Sequence, residues 1–255
     1  MAARKLANYI GVFLGVNTFK DVAKAIPIIN SLASSLRIPY GNFCADNLIT
    51  FNRNLSFLED DKFMQAIDEH TETDIEKATI WRLYLLCWAA KRGMQIEGDF
   101  VECGCYRGIT ANIICDYVNL SRSEKEYYLY DLFEHTEDMV HHAMPGHGPD
   151  LYEWVKNRFA HLERVHVTKG YLPDTLRTVC PTKIALLHID VSDNSPSAIG
   201  IVEHLYDRVS PGGTIILEGY GWLAYAGLKS VYDPFFAERG QMVLELPTGQ
   251  GLVIK

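Results

Sequence analysis

Short apolar segments alternate with helical segments over most of the chain, and this alternation is the strongest constraint on its fold. Five short segments are rich in apolar residues, which predicts strands buried on both faces. They are Phe100–Cys103, Tyr127–Tyr130, Val165–Thr168, Ile184–Ile189 and Thr214–Leu217. Because helical patterns separate consecutive segments, we expect a parallel sheet that helices cover on both sides.

The C-terminal residues predict two more strands. Met242–Leu246 and Leu252–Ile254 flank the turn Pro247-Thr-Gly-Gln-Gly251, a pattern typical of a β-hairpin. One strand of this hairpin is expected to run antiparallel to the others. The predicted fold class is therefore α/β, with a Rossmann-like sheet of seven strands that is mostly parallel and has one antiparallel strand.

The N-terminal part of the chain lacks this regularity. Helices are predicted near 19–36 and 60–70, and the asparagine-rich stretch 42–54 is predicted to be a loop. A capping box at Thr73 begins the regular part of the chain. We therefore expect an N-terminal helical extension over residues 1–70 and a ligand-binding domain over residues 71–255.

Composition narrows the possible partners. The chain has 255 residues and a formal net charge of −8, without a basic stripe, so we expect no nucleic-acid partner. The apolar run Tyr9–Val16 is too short to cross a bilayer. Six scattered cysteines without a CxxC pair favour buried, reduced thiols in a cytoplasmic protein over a disulfide or zinc site. We expect a small-molecule substrate and a homo-oligomer.

The first strand of the sheet runs directly into the turn Glu102-Cys-Gly-Cys-Tyr-Arg-Gly108. Gly104 can adopt backbone angles closed to other residues, and it lets a ligand approach the main chain. Gly108 precedes a helix whose free N–H groups suit a carboxylate or a pyrophosphate. The spacing is G-x-x-x-G rather than the G-x-G-x-x-G of dinucleotide sites, so the turn alone indicates only a nucleotide-like ligand.

The end of the second strand adds an acidic residue. Asp131 stands where a carboxylate can accept hydrogen bonds from ribose hydroxyls. This arrangement does not choose between NAD and S-adenosylmethionine. The Pro-Gly-Gly turn at residues 211–213 and the closing hairpin favour S-adenosylmethionine, because a nicotinamide-type Rossmann sheet lacks the hairpin.

Several stretches of the chain resemble the macrocin O-methyltransferase family, class I methyltransferases that modify sugar hydroxyls of antibiotics and related natural products. The matching stretches are Gly98–Gly108, Leu129–Glu134, Lys169–Leu176, Leu187–Asp190 and Leu205–Gly213. The resemblance implies an S-adenosylmethionine-dependent O-methyltransferase that acts on a hydroxyl of a natural product, on a glycosyl group. The resemblance spans roughly residues 70–255, and residues 1–70 outside it are expected to form the acceptor site, a lid or a subunit contact.

The resemblance further implies which residues bind the cofactor. The turn would wrap the methionine part, Asp131 would hold the ribose, and residues on three other segments would border the adenine or reach the methionine end. The implied set is Thr79, Glu102, Cys103, Gly104, Cys105, Tyr106, Gly108, Asp131, Phe133, Gly170 and Tyr171.

The resemblance also implies a magnesium site, and here the sequence departs from the family. The family has one Asp after the fourth strand and an Asp-Asp pair after the fifth. Asp190 matches the first, whereas Glu218-Gly219 replaces the pair. Because Mg²⁺ requires several oxygen ligands in fixed geometry, we expect this change to weaken binding at Asp190 and Glu218. Asp193 is an alternative ligand that could compensate. We expect activity to survive chelation or to need millimolar magnesium.

Methyl transfer to oxygen needs a group that removes the hydroxyl proton. Asp190 is the best single polar candidate, as base, ligand or orienting group. Histidines in the long loop after Asp131 are the alternatives, because the resemblance implies a catalytic histidine in this region. Among His135, His141, His142 and His147, we favour His142 and His141. His188 is expected to fill the core and to support Asp190.

Two other functions fit part of the pattern. The altered Glu218-Gly219 agrees with a catalytically silent, cofactor-binding scaffold protein of the same fold. The strand, glycine turn and helix agree with an NAD-dependent oxidoreductase. Methyl transfer from labelled cofactor would eliminate the scaffold, and calorimetry with S-adenosylhomocysteine against NAD would separate the oxidoreductase.

Overall fold

The structure, a computed structural model, describes residues 8–10, 22–137, 143–191 and 195–255. The chain divides into two units, Met1–Tyr84 and Leu85–Lys255. The boundary lies inside a helix. Among the residues described, no helix is long and apolar enough to cross a membrane.

The N-terminal unit combines helices with a small sheet. In chain order its elements are β1 (Tyr9–Ile10), α1 (Val22–Ser35), β2 (Phe43–Ala45), β3 (Leu48–Thr50), α2 (Asp61–His70), α3 (Asp74–Ala78) and the start of α4 (Ile80–Gly93). Strand β1 pairs in parallel with β2, and β2 pairs antiparallel with β3. The Thr73 capping box is present as predicted.

The hairpin of β2 and β3 corrects the prediction of a loop over 42–54. Asp46 and Asn47 join the strands with φ angles of 50° and 60°. Asp and Asn tolerate this left-handed region, and two such residues form the tight turn that matches the strand twist. Asp46 is fixed further by Arg82, whose Nε lies 2.6 Å from its Oδ2. The stretch therefore forms a hairpin rather than a loop, because Asp46 and Asn47 favour a tight turn despite the polar composition around them.

The C-terminal unit alternates strands and helices as the sequence predicts. After α4 its elements are β4 (Asp99–Cys103), α5 (Ile109–Val118), β5 (Tyr127–Asp131), α6 (Leu151–Phe159), β6 (Val165–Lys169), β7 (Ile184–Ile189), α7 (Ser195–Leu205), β8 (Val209–Leu217), α8 (Ala226–Ala237), β9 (Leu244–Glu245) and β10 (Gly251–Ile254). The helix predicted from Pro173 is a 3₁₀ turn over Asp174–Arg177.

These strands form one seven-stranded sheet in the order β6-β5-β4-β7-β8-β10-β9. Only β10 runs against the others, since it is antiparallel to both β8 and β9. The predicted fold class is confirmed. One detail differs: Pro211, Gly212 and Gly213 do not precede the last parallel strand but bulge within β8, where the pairing shifts from Ile184–Val209 to Leu186–Thr214.

Strand alternation gives the sheet two different faces. One face carries Val101, Leu187 and Ile215, which pack in a buried cluster with residues of α7 and α8. The opposite face carries the intervening residues, including Phe100, against which Gly93 at the end of α4 lies. The polar residues of the candidate site belong to this second face and to the carboxyl ends of the strands.

None of the six cysteines, all of which lie in the described residues, is in a disulfide bond. Five are buried, as predicted, and Cys180 is half-buried. Burial raises the pKa of the Cys103 and Cys105 thiols well above its usual range, so both stay protonated near neutral pH. These two thiols are poor nucleophiles and poor metal ligands in this state.

Candidate cofactor and acceptor site

The turn after β4 presses its backbone against the end of β7. Gly104 has φ of +91°, and a Cβ placed there would lie 2.1 Å from the carbonyl oxygen of Asp190. The N–H of Gly104 donates to the Tyr130 carbonyl at 2.8 Å, and the N–H of Asp190 donates to the Cys103 carbonyl at 2.8 Å. Residue 104 therefore has to be glycine, both because its φ is positive and because a side chain would collide with the Asp190 carbonyl. The same contacts hold Asp190 beside the turn.

Asp131 connects this turn with the end of β5. Its Oδ2 accepts the Tyr106 N–H at 2.7 Å, and its Oδ1 accepts the Phe133 N–H at 2.6 Å. These bonds stabilise two non-glycine residues with positive φ, 46° at Tyr106 and 61° at Phe133. Each carboxylate oxygen can accept a second hydrogen bond, which is what vicinal ribose hydroxyls would donate.

Helix α5 offers a second polar feature next to the turn. It begins after Gly108, which has φ of 69° and supplies no side-chain cap. A Cβ at Gly108 would lie 2.5 Å from the Phe159 ring, so α6 packs closely against this residue. The uncapped N–H groups and the helix dipole favour a carboxylate here. A ligand with ribose hydroxyls and an amino-acid carboxylate, such as S-adenosylmethionine, fits these groups.

The other residues of the implied cofactor set differ in exposure. The side chains of Glu102, Cys103 and Phe133 are almost completely buried, whereas Tyr171 is 60% exposed. Gly170 donates its N–H to the Asp131 carbonyl at 3.0 Å, which brings the loop after β6 to the end of β5. The turn, Asp131 and Gly170 therefore lie together at one edge of the sheet. Because the side chains of Glu102, Cys103 and Phe133 are buried, these residues can contact a ligand only through their backbone.

Thr79 belongs to the N-terminal unit. Its hydroxyl donates to the Glu76 carbonyl at 2.8 Å, at the end of α3. Its implied contact with the cofactor stays a prediction.

The loop after β5 lies against the turn in the part that the structure describes. The Gly146 N–H donates to the Tyr106 hydroxyl at 2.7 Å, and the His147 ring packs edge-on against Tyr106 at 5.3 Å. The His135 and His147 rings are stacked with centroids 6.3 Å apart. The favoured histidines, His141 and His142, lie outside the described residues, so their role stays a prediction.

A row of buried polar side chains crosses five neighbouring strands on the face opposite α7 and α8. The Tyr127 hydroxyl donates to Glu102 Oε2 at 2.8 Å, and Gln250 Nε2 donates to Glu218 Oε1 at 2.6 Å. The Thr248 hydroxyl donates to Gln250 Oε1 at 2.9 Å. Between the two carboxylates lies the imidazole of His188. Each of these side chains is at least nine-tenths buried.

His188 is the cation of this row. Its Nδ1 lies 3.4 Å from Glu102 Oε1, and its Nε2 lies 3.5 Å from Glu218 Oε1. Neither nitrogen has hydrogen-bond geometry, so the contacts are ion pairs. Burial alone would lower the pKa of His188, but the two carboxylates outweigh it and raise the pKa to about 10. The sequence predicted a buried His188 that supports Asp190; burial is confirmed, and the ring nitrogens face Glu102 and Glu218.

Asp190 and Glu218 differ in their surroundings. Asp190 is exposed just beyond β7, while Glu218 is 5% exposed and already engaged by Gln250 and His188. Among the residues described, neither belongs to a group of three His, Cys, Asp or Glu ligand atoms within 4.8 Å of one another. Asp193, which could supply a further oxygen ligand, lies outside the described residues, so the weak magnesium site stays a prediction.

The sequence pattern does not predict that Gln250 and Thr248 belong to this row of buried polar side chains. Both were assigned only to the turn of the C-terminal hairpin. In the structure Gln250 directly precedes a strand paired with β8 and is 0% exposed, neither of which the sequence pattern indicates. A polar side chain at the start of a buried strand requires a polar partner across the sheet.

Comparison with known proteins identifies the class and then the family. The solved structures of two methyltransferases share this fold. The first is the O-methyltransferase NovP, which is 21% identical to this chain, with a TM-score of 0.59; the match covers 69% of this chain and 80% of NovP. The second is CalS11, a calicheamicin methyltransferase, of which two structures match. One CalS11 structure has 12% identity over 80% and 94% of the chains, with a TM-score of 0.52. Its apo structure has 10% identity over 94% and 96%, with a TM-score of 0.57.

Residues 86–241 match the macrocin-O-methyltransferase (TylF) family. Because the match covers more than half of the chain, the chain belongs to this family of S-adenosylmethionine-dependent O-methyltransferases. A comparison with curated protein sequences finds no significant match. Family membership confirms the resemblance found in the sequence and decides against an NAD-dependent oxidoreductase.

Substituting Gly104 tests the packing of the turn. Gly104→Ala should lower the free energy of unfolding by about 3 kcal/mol, because the methyl group meets backbone atoms and the positive φ is strained. Gly148→Ala is the matched control, since nothing lies within 4 Å of its Cβ, and should change stability by less than about 0.5 kcal/mol. Urea denaturation measures both, and equal effects would contradict the described packing.

Removing the His188 cation tests the buried row. His188→Gln should lower the free energy of unfolding by about 3 kcal/mol, because it leaves two buried carboxylates without their cation. His166→Gln removes a histidine that also pairs with a glutamate, at 2.6 Å, but on the protein surface. Its effect should stay below about 1 kcal/mol. Thermal denaturation that ranked the variants in the opposite order would contradict the charge assignment.

Proposed function

We propose that the chain transfers a methyl group from S-adenosylmethionine to a hydroxyl of a glycosyl group on a small natural product. The observation that carries the proposal is the joint position of the turn, Asp131 and Asp190 at one edge of the sheet. The family supports the reaction type. The apo CalS11 structure is described as a TDP-rhamnose 3'-O-methyltransferase, which supports a sugar hydroxyl as acceptor.

We assign the cofactor to the turn, with the ribose on Asp131 and the methionine carboxylate at the N-terminus of α5. S-adenosylmethionine supplies, when bound, an electrophilic methyl group on a positively charged sulfur. The residues of the turn bind and orient it through backbone groups, since Gly104 leaves the main chain accessible. Thr79, Phe133 and Tyr171 are assigned to the edges of the same site by the family resemblance.

Asp190 is assigned as the group that receives the acceptor proton. During the reaction the hydroxyl oxygen bonds to the methyl carbon, the carbon–sulfur bond breaks, and its electron pair remains on sulfur. The hydroxyl proton passes to a base, and Asp190 is exposed beside the turn. A carboxylate held there can also orient the acceptor for in-line attack. His141 and His142 remain the alternative bases.

Residues 1–70 are proposed to complete the acceptor site, as a lid or as a subunit contact. The exposed apolar residues Ile28 and Leu32 on α1, and Leu36 just after its end, follow one another at four-residue spacing, which supports a contact surface. We further propose a homo-oligomeric protein that works in the cytoplasm, where its cysteines stay reduced.

Asp131→Asn tests the cofactor assignment. An Asn side chain has one acceptor oxygen, so its amide group would face the Tyr106 or Phe133 N–H, and the ribose would lose a negatively charged acceptor. Calorimetry should show that affinity for S-adenosylhomocysteine falls at least about tenfold. Asp99→Asn is the control, because Asp99 also accepts a backbone N–H but at the start of β4. A wild-type chain that binds NAD and not S-adenosylhomocysteine would refute the proposal.

Asp190→Asn tests the proposed base. With labelled S-adenosylmethionine, and TDP-rhamnose and macrocin as acceptor probes, kcat should fall by about a hundredfold while affinity for S-adenosylhomocysteine is unchanged. Asp174→Asn, an exposed acid in the 3₁₀ turn after β6, is the control. Undiminished kcat in Asp190→Asn would transfer the role to the loop histidines. Absence of methyl transfer to any glycosylated probe would contradict the acceptor class.

A further inference from the structure

Two aromatic side chains, Trp222 and Tyr225, form a pair in the segment that follows β8. Their rings are nearly parallel, with 8° between the ring planes and 6.0 Å between the centroids. Both residues are half-buried, and Leu223, which lies between them in the sequence, is 95% exposed. This aromatic pair is therefore partly open to solvent just beyond the carboxyl end of β8.

Backbone hydrogen bonds hold the segment of the aromatic pair. The Trp222 N–H donates to the Gly219 carbonyl at 3.1 Å, and the Tyr225 N–H donates to the Trp222 carbonyl at 2.9 Å. The Gly221 N–H donates to the Gly249 carbonyl at 2.9 Å, which ties the segment to the turn of the C-terminal hairpin. Because these turns are already formed, a ligand that binds the aromatic pair has little left to order.

The hairpin turn also makes room for the indole of Trp222. Gly249 has φ of +83°, and a Cβ placed there would lie 1.8 Å from Trp222 Nε1. The same nitrogen donates to the Thr248 carbonyl at 3.4 Å. The indole can therefore occupy this position only because residue 249 has no side chain.

Polar side chains lie next to the aromatic pair. A Cβ at Gly221 would lie 3.3 Å from Glu245 Oε1, so this carboxylate is beside the residue that precedes Trp222. Lys229 Nζ donates to the other oxygen, Glu245 Oε2, at 3.2 Å and to the Tyr220 hydroxyl at 2.7 Å. The side chains of Glu245 and Lys229 are exposed. A carboxylate and an ammonium group are thus available to a ligand at this place.

The order of the strands places the aromatic pair on the acceptor side of the proposed site. β7 ends just before Asp190 and lies between β4, which leads into the cofactor turn, and β8, which leads to the aromatic pair. The Glu218 N–H donates to the Ile189 carbonyl at 2.9 Å, so β7 and β8 end at the same level. Along this edge of the sheet, Asp190 therefore comes between the cofactor turn and the aromatic pair.

A sugar ring is a ligand with the matching chemistry. One face of a hexose ring carries mainly C–H groups, which pack on aromatic rings through dispersion and through attraction to the electron-rich ring face. The hydroxyls at the edge of the ring both donate and accept hydrogen bonds, so they suit neighbouring carboxylate and ammonium groups.

We propose that Trp222 and Tyr225 bind the apolar face of the glycosyl ring of the acceptor, and that Glu245 and Lys229 bind its hydroxyls. These side chains would determine specificity for a glycosylated acceptor over one without a sugar. The inference rests on the proposed function for the identity of the acceptor. It adds a set of residues that touch the substrate but take no part in bond making.

The experiment compares ligands with and without the sugar. Calorimetry measures the affinities of wild type and Trp222→Leu for TDP-rhamnose, macrocin and TDP, with and without S-adenosylhomocysteine. Trp222→Leu keeps an apolar side chain but loses the aromatic face, so its affinity for the glycosylated probe that wild type binds should fall about tenfold. Its affinities for TDP and for S-adenosylhomocysteine should stay within about threefold of wild type.

Turnover and control variants separate recognition from folding. With labelled S-adenosylmethionine, Trp222→Leu should raise KM for the glycosylated acceptor about tenfold and change kcat by less than about threefold. Trp222→Phe keeps an aromatic face and should stay within about threefold of wild type in both. Trp88→Leu removes an exposed tryptophan on α4 that packs on Arg92, and it should match wild type. Tyr225→Leu replaces Trp222→Leu as the test if that variant does not fold.

Two results would overturn the inference. One is a folded Trp222→Leu variant that binds and methylates a glycosylated probe as wild type does, which leaves the proposed function intact. The other is a wild-type chain that binds neither glycosylated probe. If a glycosylated probe binds and Trp222→Leu weakens it, but no methyl group is transferred, the proposed function fails and the sugar-binding aromatic pair stands.

Discussion

One imidazole and two carboxylates share a buried space at the carboxyl ends of the central strands, and the arrangement of the site depends on their balance. Glu102, His188 and Glu218 come from three neighbouring strands, and Tyr127 and Gln250 extend the contacts to the next strand on each side. Buried charges on separate strands are stable only when they are paired in a defined geometry. The pairing therefore fixes the relative positions of the loops that follow those strands.

A second carboxylate organises the other side of the site. Asp131 binds the backbone of its own loop and the backbone of the turn after β4. A ligand that reaches Asp131 meets a group that is already oriented, so little ordering of this side chain remains to be done on binding. The glycine at position 104 has the complementary role, because it brings the turn close to Asp190 without a side chain between them. Rigid backbone contacts thus place the acid that we assign to proton removal.

Much of the fold was predictable from the sequence because its signals are local. Runs rich in apolar residues predicted the parallel strands, and the turn at residues 247–251 predicted the antiparallel hairpin. The turn after the first strand and Asp131 after the second predicted that a ligand binds at the carboxyl ends of the strands. The β2–β3 hairpin was missed because composition suggested a loop, although Asp46 and Asn47 are suited to its turn. The partners of His188 were not predictable, because alternation tells which face a side chain occupies but not which residues of neighbouring strands lie opposite it.

We propose that the turn and Asp131 bind S-adenosylmethionine. A crystal structure of the chain with S-adenosylhomocysteine tests this proposal most directly. The predicted result has the ribose hydroxyls on Asp131 and the amino-acid carboxylate at the start of α5. A ligand bound away from Asp131 would contradict it.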